Sequence, residues 1–274
     1  MNGAGNEFII IDNSEIGHPY TPDSIRTICS NSSDTKCDQL ITIEKRNMQN
    51  LDINIWNNDG SVAEACGNAS RCVAKLIFDE TDNEYLELKS KYCLHVCKKI
   101  DNDGVSVNMG QASTKWKNIP TLYETDDTLN FDYNFDFGDL NEAKYTSVIN
   151  VGNPHIIFWF DSIENIKLEL IGPLIEKHKI FPERINVSFA ELIDQNNIKL
   201  VVWERGAGVT KACGTAACAV AYSALKLGLS SNNLNINLPG GVLVINIDSE
   251  NNIHKTGPVE LEYSGIINIE EINE

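Results

Sequence analysis

Apolar and polar residues alternate along several short segments of the chain, as they do in strands that bury one face of a sheet. The clearest of these segments are residues 51–56, 199–203, 234–238 and 242–247. Two longer segments instead have the small residues and apolar face of a buried helix. They follow the Cys-Gly pairs at Cys66 and Cys213, and the second ends at Gly228, a residue type that favours helix ends. The pattern therefore predicts many strands and one long helix after each Cys-Gly pair.

The second half of the chain repeats the first at a constant offset of 147 residues, which pairs position 66 with position 213. Ala65-Cys66-Gly67 recurs as Ala212-Cys213-Gly214, Gly5-Asn6 as Gly152-Asn153, Ile9-Ile10 as Ile156-Ile157, and Trp56 as Trp203. Independent coincidences would not share one offset without a gap. The repeat predicts two homologous halves at about residues 5–112 and 152–259, joined by a polar, acidic stretch around 126–141.

The two patterns together predict an α+β protein of two pseudo-symmetric domains, each a barrel-like sheet wrapped around a central helix. We assign residues 1–117 with 263–274 to an N-terminal domain and residues 118–262 to a C-terminal domain. The segment from about Gly265 has no counterpart in the first half. We expect it to return to the N-terminal domain and to supply a strand there.

The overall composition excludes several classes of protein. The chain has 39 acidic and 22 basic residues and a formal net charge of −17, so binding of nucleic acid by a basic surface is not expected. Its hydrophobic content of 42% suffices for a packed core. Apolar runs are far shorter than the roughly 20 residues of a membrane helix, and the N-terminus lacks the features of an export signal. We therefore expect a soluble, cytoplasmic protein without a membrane partner.

The chain has eight cysteines, at positions 29, 37, 66, 72, 93, 97, 213 and 218. In a reducing compartment these are expected to be free thiols. They form no paired C-x-x-C motif and the chain has only five histidines, so no metal site is predicted. Cys72 and Cys218 fall inside the predicted helices and are expected to be core residues. Cys29, Cys37, Cys93 and Cys97 have no such context and are interpreted as structural or incidental thiols.

Cys66 and Cys213 each fall at the first turn of a predicted helix, where unpaired backbone N–H groups and the helix dipole stabilise an anion. This position would lower the pKa of each thiol toward neutrality. It would also bind a carboxylate through neighbouring amides, which are those of Gly67 and Asn68 in the first half and of Gly214 and Thr215 in the second. A thiolate on one face of a carbon and a thiol on the other can invert an amino-acid α-carbon without a cofactor. The two cysteines therefore predict a cofactor-independent, two-base site.

Eight short stretches carry the most specific combination of residues. They are NGAGNEF from Asn2, NNDG from Asn57, ACGNASRC from Ala65, GNPH from Gly152, FPERIN from Phe181, ERGAG from Glu204, ACGTAAC from Ala212 and LPGG from Leu238. Together they resemble the diaminopimelate epimerase family across nearly the whole chain. The resemblance implies an active site in a cleft between two domains, interconversion of LL- and meso-diaminopimelate on the way to lysine and peptidoglycan, no cofactor such as pyridoxal phosphate, and a homodimer.

The resemblance also implies roles for individual residues. Cys66 is similar to the family's proton donor and Cys213 to its acceptor, and the two roles exchange with the direction of the reaction. His155 and Glu204 resemble the polar groups that tune these thiols. The residues that resemble the family's substrate ligands are Asn6, Gln39, Asn57, Asn153, Asn186 and Arg205. With Glu204 and the four helix-end residues named above, they form the expected substrate site, in which Arg205 offers a bidentate fork for a second carboxylate.

The chain departs from the family pattern at a few positions. The family usually has His at Asn2, a Gly-rich turn at residues 34–36, and Gly at Ala69 and Ala216; we interpret these as changes in loop and helix packing. Two other readings remain open. One is another racemase or epimerase of the same fold, such as a proline racemase or hydroxyproline epimerase. The other is a non-catalytic amino-acid-binding protein. A phenazine-biosynthesis isomerase would share the fold but not the paired cysteines.

Overall fold

A helix with many small side chains packs against strands in each half of the chain. The sequence predicted both the strands and one such helix after each Cys-Gly pair. The computed structural model describes residues 1–31, 37–47, 49–63, 66–100, 104–135 and 142–266. The chain forms two compact units, one of Met1–Asn108 with the described residues from Thr256 on, and one of Met109–Lys255. Each unit combines strands with helices, which confirms the predicted α+β class.

The first unit is built on the following elements. In chain order they are β1 (Asn2–Gly3), β2 (Asn6–Asp12), α1 (Pro22–Asn31), β3 (Gln39–Arg46), β4 (Asn50–Asn57), α2 (Gly67–Glu80), β5 (Tyr85–Lys89), β6 (Leu94–Ile100) and β7 (Gly104–Gln111). Neighbouring strands pair in the order β1 to β7, parallel for β2–β3 and β4–β5 and antiparallel for the other pairs. Helix α2 contacts β1, β2, β5 and β6, so the sheet curves around it.

The second unit repeats this arrangement. Its elements are β8 (Tyr145–Asn150), β9 (Pro154–Phe160), α3 (Leu168–Glu176), β10 (Asn186–Asp194), β11 (Asn197–Glu204), β12 (Gly208–Thr210), α4 (Gly214–Lys226), β13 (Asn233–Leu238), β14 (Gly241–Ile247) and β15 (Asn252–Gly257). The strands pair in the order β8-β9-β10-β11-β13-β14-β15, and the short β12 pairs with β11 alone. Helix α4 contacts β8, β9, β10, β13 and β14, which lie toward both ends of that order.

The repeat in the sequence is also a repeat in strand register. Gln39 lies opposite Phe8 in the first unit, and Asn186 lies opposite His155 in the second. Both pairs are related by the offset of 147 residues found in the sequence. One pairing differs by one residue between the copies, because Asn50 lies opposite Glu87 whereas Asn197 lies opposite Asn235.

The central helices are buried over most of their length. Helix α4 buries Ala216, Ala217, Cys218 and Ala219 completely, and in α2 Cys72 is equally inaccessible. Small side chains at these positions let the strands approach the helix axis closely. Helix α4 ends as predicted, with Gly228 at a φ of 71° just after its last turn.

Helices α1 and α3 were not predicted from the sequence pattern. Helix α1 begins with reciprocal bonds between Thr21 and Ser24, in which each backbone N–H donates to the other residue's hydroxyl oxygen. Helix α3 contains Pro173, a residue that ordinarily argues against a helix interior. It packs on β10, β11 and β12 of its own unit.

The stretch between the two repeats contributes to the core of the second unit. Ile119, Phe131 and Phe135 are buried there together with Phe158 and Phe181. The acidic residues that dominate its composition therefore accompany an aromatic core segment. Residues 136–141 lie outside the described part of the chain.

The end of the chain returns to the first unit. Asn2 and Glu260 form an antiparallel bridge, with Asn2 N donating to Glu260 O at 2.8 Å and Glu260 N donating to Asn2 O at 2.9 Å. The expected strand from about Gly265 falls mainly on residues 267–274, outside the described residues. The predicted domain boundaries at 117/118 and 262/263 stay a prediction.

None of the helices in the described part of the chain has the length and apolar character needed to span a membrane.

Candidate active site

The two predicted cysteines occupy the same structural position in their respective units. Cys66 is the N-cap of α2 with φ/ψ of −148°/101°, and Cys213 is the N-cap of α4 with φ/ψ of −130°/111°. The Cys66 sulfur accepts a hydrogen bond from the backbone N–H of Ala69, at 3.4 Å. The first N–H groups of a helix have no partner within it. Each cysteine therefore stands beside donors that can bind a carboxylate.

The electrostatic surroundings of Cys213 oppose its ionisation. Its side chain is buried, with 4% of the residue exposed. Burial, first, and the nearby Glu204 carboxylate, second, raise the pKa of the Cys213 thiol well above its usual range, although Thr215 and the Ala216 N–H act in the opposite direction. The expected lowering of the pKa toward neutrality is therefore wrong for Cys213, because the helix end does not outweigh burial and the adjacent negative charge. Cys213 is held as a neutral thiol.

A chain of hydrogen-bonding groups connects Cys213 to His155 within the second unit. Its sulfur lies 3.4 Å from Thr215 Oγ1, and that oxygen accepts from Asn153 Nδ2 at 3.3 Å. Asn153 Oδ1 lies 2.8 Å from Nε2 of His155. Four predicted site residues are thus connected in sequence by direct contacts.

His155 is neutral in this arrangement. It is completely buried, and burial, first, and the positive charge of Arg205, second, lower the pKa of its imidazole from 6.5 to about 3. A neutral ring carries one N–H, and the contact with Asn153 Oδ1 assigns it to Nε2. The other ring nitrogen, Nδ1, is buried and has no hydrogen-bond partner among the described residues. It is an acceptor that the described residues leave without a donor.

The segment around Arg205 is held by hydrogen bonds on both sides. The Asn186 side chain donates to Pro154 O at 2.9 Å and accepts from the Arg205 N–H at 2.9 Å. It therefore links the main chain at Pro154 to the main chain at Arg205. Arg205 Nη1 donates to Glu183 O at 3.1 Å. One of the five guanidinium donors is thereby used for positioning.

Glu204, which precedes Arg205, accepts from the Thr210 hydroxyl at 2.6 Å. That bond fixes the carboxylate that influences Cys213. The two neighbouring charged side chains are thus held by different parts of the unit. Glu204 is bonded to Thr210 of β12, and Arg205 is bonded to Glu183 in the segment before β10.

The predicted site residues of the first unit form a network of amide side chains. Asn68 Nδ2 donates to Asn6 Oδ1 at 2.9 Å, and Gln39 Nε2 donates to Asn57 Oδ1 at 3.0 Å. Asp38 Oδ2 accepts from Asn6 Nδ2 at 3.3 Å. The Asn6–Asn68 bond is the positional counterpart of the Asn153–Thr215 bond in the second unit. The predicted amide side chains of the first unit are thus joined in two separate pairs, Asn6 with Asn68 and Gln39 with Asn57.

The two sets differ in charge. At equivalent positions of the repeat, the first unit has Phe8 and Asn57 where the second has His155 and Glu204. Cys66 is also partly exposed, unlike Cys213. The second set is therefore the one that combines a buried imidazole with a carboxylate beside its thiol. Gly67 and Gly214 are the first residues of α2 and α4, as predicted.

Sequence reasoning missed a buried carboxylate that supports the Arg205 segment. Glu176, 2% exposed, accepts from Trp203 Nε1 at 2.7 Å and from the Gly206 N–H at 3.1 Å, and Arg184 Nη1 lies 3.5 Å from it. It lies at the end of α3, where an acidic residue is ordinarily solvated. Only the expectation that buried charges are paired could have identified it, and that requires knowledge of burial.

Among the described residues, no group of three or more His, Cys, Asp or Glu side chains is arranged to hold a metal ion.

Comparison with known proteins agrees with this geometry. A family model described as diaminopimelate epimerase matches residues 1–115 and 147–262. The diaminopimelate epimerase of Pelagibacter ubique is 42% identical over 94% of this chain and 94% of its own length. That of Rhodopseudomonas palustris strain BisB5 is 39% identical over 97% of this chain and 91% of its own. A Pseudomonas aeruginosa protein described as a predicted epimerase shares the fold, with a TM-score of 0.64 at 12% identity, covering 95% of this chain and 94% of its own.

The neutral state of His155 predicts a pH dependence of stability. Its pKa is about 3 in the folded protein and 6.5 when unperturbed, so as the pH falls below 6.5 the unfolded chain takes up a proton that the folded protein refuses. The free energy of unfolding should fall by about 2–3 kcal/mol from this group between pH 6.5 and 4.5. Urea unfolding at several pH values measures the slope.

The control variant is His155→Phe, which installs the residue found at the equivalent position 8. Its unfolding free energy should lose that part of the slope. An imidazole signal from folded wild-type His155 that titrates near pH 6.5 by NMR would contradict the assignment.

The carboxylate beside Cys213 predicts a change in thiol reactivity. Replacing Glu204 by Gln removes the negative charge that opposes thiolate formation, so the pKa of Cys213 should fall and its alkylation at pH 8 should accelerate, roughly tenfold for each unit of the fall. The rate is measured by iodoacetamide labelling and peptide mass spectrometry from pH 7 to 10, with Cys66 as internal reference. Glu204→Asp keeps the charge and should resemble wild type. An identical pH profile in the Gln variant would show that Glu204 does not act on this thiol.

Proposed function

Because the chain belongs to the diaminopimelate epimerase family, we propose that it interconverts LL-2,6-diaminopimelate and meso-diaminopimelate without a cofactor, in the synthesis of lysine and peptidoglycan precursors. The observation that carries this proposal is the pair of N-cap cysteines, Cys66 and Cys213, at equivalent positions of a duplicated unit. Each combines a transferable proton with helix amides that bind a carboxylate.

The reaction consists of two proton transfers at one carbon. A thiolate removes the α-proton, the bound carboxylate delocalises the resulting negative charge, and a thiol delivers a proton to the opposite face. The neutral state of Cys213 supports its role as the acid in the direction in which Cys66 is the base. In the reverse direction the roles exchange, which agrees with the donor and acceptor pair that the resemblance implies.

The groups around Cys213 have distinct parts in this proposal. Burial, first, and the Glu204 carboxylate, second, keep the Cys213 thiol protonated. Thr215 and Asn153 connect the His155 imidazole to the thiol and keep its orientation.

Substrate specificity is assigned to a second carboxylate. Diaminopimelate carries an amino acid group at each end, and Arg205 presents the planar fork that binds a carboxylate bidentately. The hydrogen bonds of Asn186 and Glu183 to Arg205 support this role by fixing the guanidinium and its main chain. We propose that Asn6, Gln39, Asn57, Asn68, Asn153 and Asn186, with the first residues of α2 and α4, complete the substrate site.

Assembly and location follow from the same premise. We propose a homodimer that acts in the cytoplasm. The eight free cysteines, two of them catalytic in this proposal, support a reducing compartment. Sedimentation of the purified chain measures the assembly, and a monomer at working concentration would refute it.

The proposed two-base reaction predicts strong effects of either cysteine. Cys66→Ser and Cys213→Ser should each reduce epimerisation of LL-diaminopimelate by orders of magnitude, because a hydroxyl is too weak an acid and its alkoxide too scarce for either transfer. Activity is measured in D2O by α-deuterium incorporation and meso product. Cys29→Ser, which changes a cysteine outside the proposed site, should retain activity. A wild-type protein that binds the substrate but incorporates no deuterium would instead support an amino-acid-binding protein.

The proposed role of Arg205 predicts a loss of substrate binding. Arg205→Lys keeps the charge but not the fork, so kcat/KM for diaminopimelate should fall at least tenfold. Wild-type protein should not racemise lysine, which lacks the second carboxylate. Efficient turnover of lysine or proline by the wild type would move the chain to another activity of the same fold.

A further inference from the structure

Two cysteines outside the proposed active site lie in direct contact. Cys29 is in the last turn of α1 and Cys37 is just before β3, and their sulfur atoms are 3.1 Å apart. This separation is shorter than the roughly 3.5–4.0 Å of ordinary non-bonded packing between carbon atoms, which are smaller than sulfur. From the sequence, both were expected to be structural or incidental thiols, because neither lies at a duplicated Cys-Gly helix start.

The two thiols differ in access and acidity. Cys29 is partly exposed, whereas Cys37 is 7% exposed and belongs to an apolar cluster with Ile25, Ile28 and Leu40. The contact with the Cys37 sulfur lowers the pKa of Cys29. The same contact, together with burial, raises the pKa of Cys37. Because Cys29 is the more accessible of the two, it is the thiol that a reagent from solvent reaches first.

We propose that Cys29 and Cys37 form a reversible intramolecular disulfide by exchange with a small disulfide such as glutathione disulfide. The Cys29 thiolate attacks one sulfur of the oxidant, a sulfur–sulfur bond forms, and one thiolate leaves. Cys37 then gives up its proton and attacks the Cys29 sulfur of the mixed disulfide, which releases the second thiolate. Two protein thiols are oxidised, one disulfide is reduced to two thiols, and the electrons balance.

The geometry favours closure over accumulation of the mixed disulfide. The sulfurs must shorten their separation to about 2.05 Å, a shift of about 1 Å from the contact that they already make.

The bridge would connect the end of α1 to the residue before Asp38. Asp38 accepts from the Glu7 N–H at 3.0 Å and from Asn6 Nδ2 at 3.3 Å. Oxidation would therefore fix the main chain next to Asp38, which binds Asn6 and Glu7. Cys66 and its helix would remain unmodified. This separates the proposed disulfide from the proposed catalytic chemistry.

The test uses the full chain with Cys66→Ala and Cys213→Ala, so that the result does not depend on the proposed function. The protein is equilibrated with oxidised and reduced glutathione at graded ratios, quenched in acid and mapped without reduction. Trypsin cuts after Arg26, Lys36 and Lys45. The expected product therefore joins the peptides 27–36 and 37–45, and reductant should separate them.

Two single variants on this background test the order of attack. Cys37→Ser should stop at a glutathione adduct on Cys29, because no second thiol resolves it. Cys29→Ser should leave Cys37 labelled at least tenfold more slowly than Cys29 is in the parent. Cys93→Ser, which removes another partly exposed cysteine, should form the bridge as the parent does. Circular dichroism and thermal unfolding verify that each variant is folded.

The proposal is overturned if the joined peptides are absent at ratios that place glutathione on other cysteines. It is equally overturned if Cys29 and Cys37 are each modified without a bond between them. Both outcomes can be read in the parent protein, independently of the variants.

Discussion

Burial of a helix inside a curved sheet is the constraint on which the rest of this structure depends. Strands that approach a helix from several sides favour small side chains where they come closest, which accounts for the alanines of α4. The enclosed helix still has polar groups at its first turn that need partners. A cysteine in extended conformation occupies the N-cap of both helices; the Cys66 sulfur accepts from the Ala69 N–H of α2, whereas Cys213 makes no side-chain hydrogen bond that caps α4. Packing and candidate chemistry thus have a common origin in each unit.

The two copies solve the same packing problem with different electrostatics. Both have a cysteine cap and a hydrogen bond between the strand β2 or β9 region and the helix start. In the second copy, an imidazole and a carboxylate replace a phenyl ring and an amide. Burial and this carboxylate keep the Cys213 thiol neutral, whereas the first copy has an amide at the position of the carboxylate.

Much of the fold was predictable because two independent sequence signals agreed. Alternation located β4, β11, β13 and β14, and the repeat located the N-cap cysteines and their helices. Helix α3 was hidden by Pro173, and α1 depends on a Thr21–Ser24 cap that resembles many loop sequences. The elements that escaped prediction are thus the short outer helices, which are determined by packing on a finished sheet.

The membership of the candidate site stays a prediction, and the protonation and contacts of its residues could not be read from the sequence. Asn186 was expected to bind substrate, and its side chain braces the main chain at Arg205, a role set by strand register. The direction of the Cys213 pKa required the burial and the distance of a carboxylate, neither of which a sequence contains. Glu176 was missed for the same reason. Residue identity gives the available chemistry, whereas protonation is a property of the folded surroundings.

The shared register of the two units has a consequence for how such a site can evolve. In an assembly of identical single-unit chains, every substitution is made in all copies at once, so positions 8 and 155 would have to carry the same residue. Joining two copies in one chain removes this coupling, and each mutation then changes one copy alone. Asymmetry between the thiols is accessible only after that fusion. The repeat at an offset of 147 residues therefore allows equivalent positions to carry different residues, as positions 8 and 155 do.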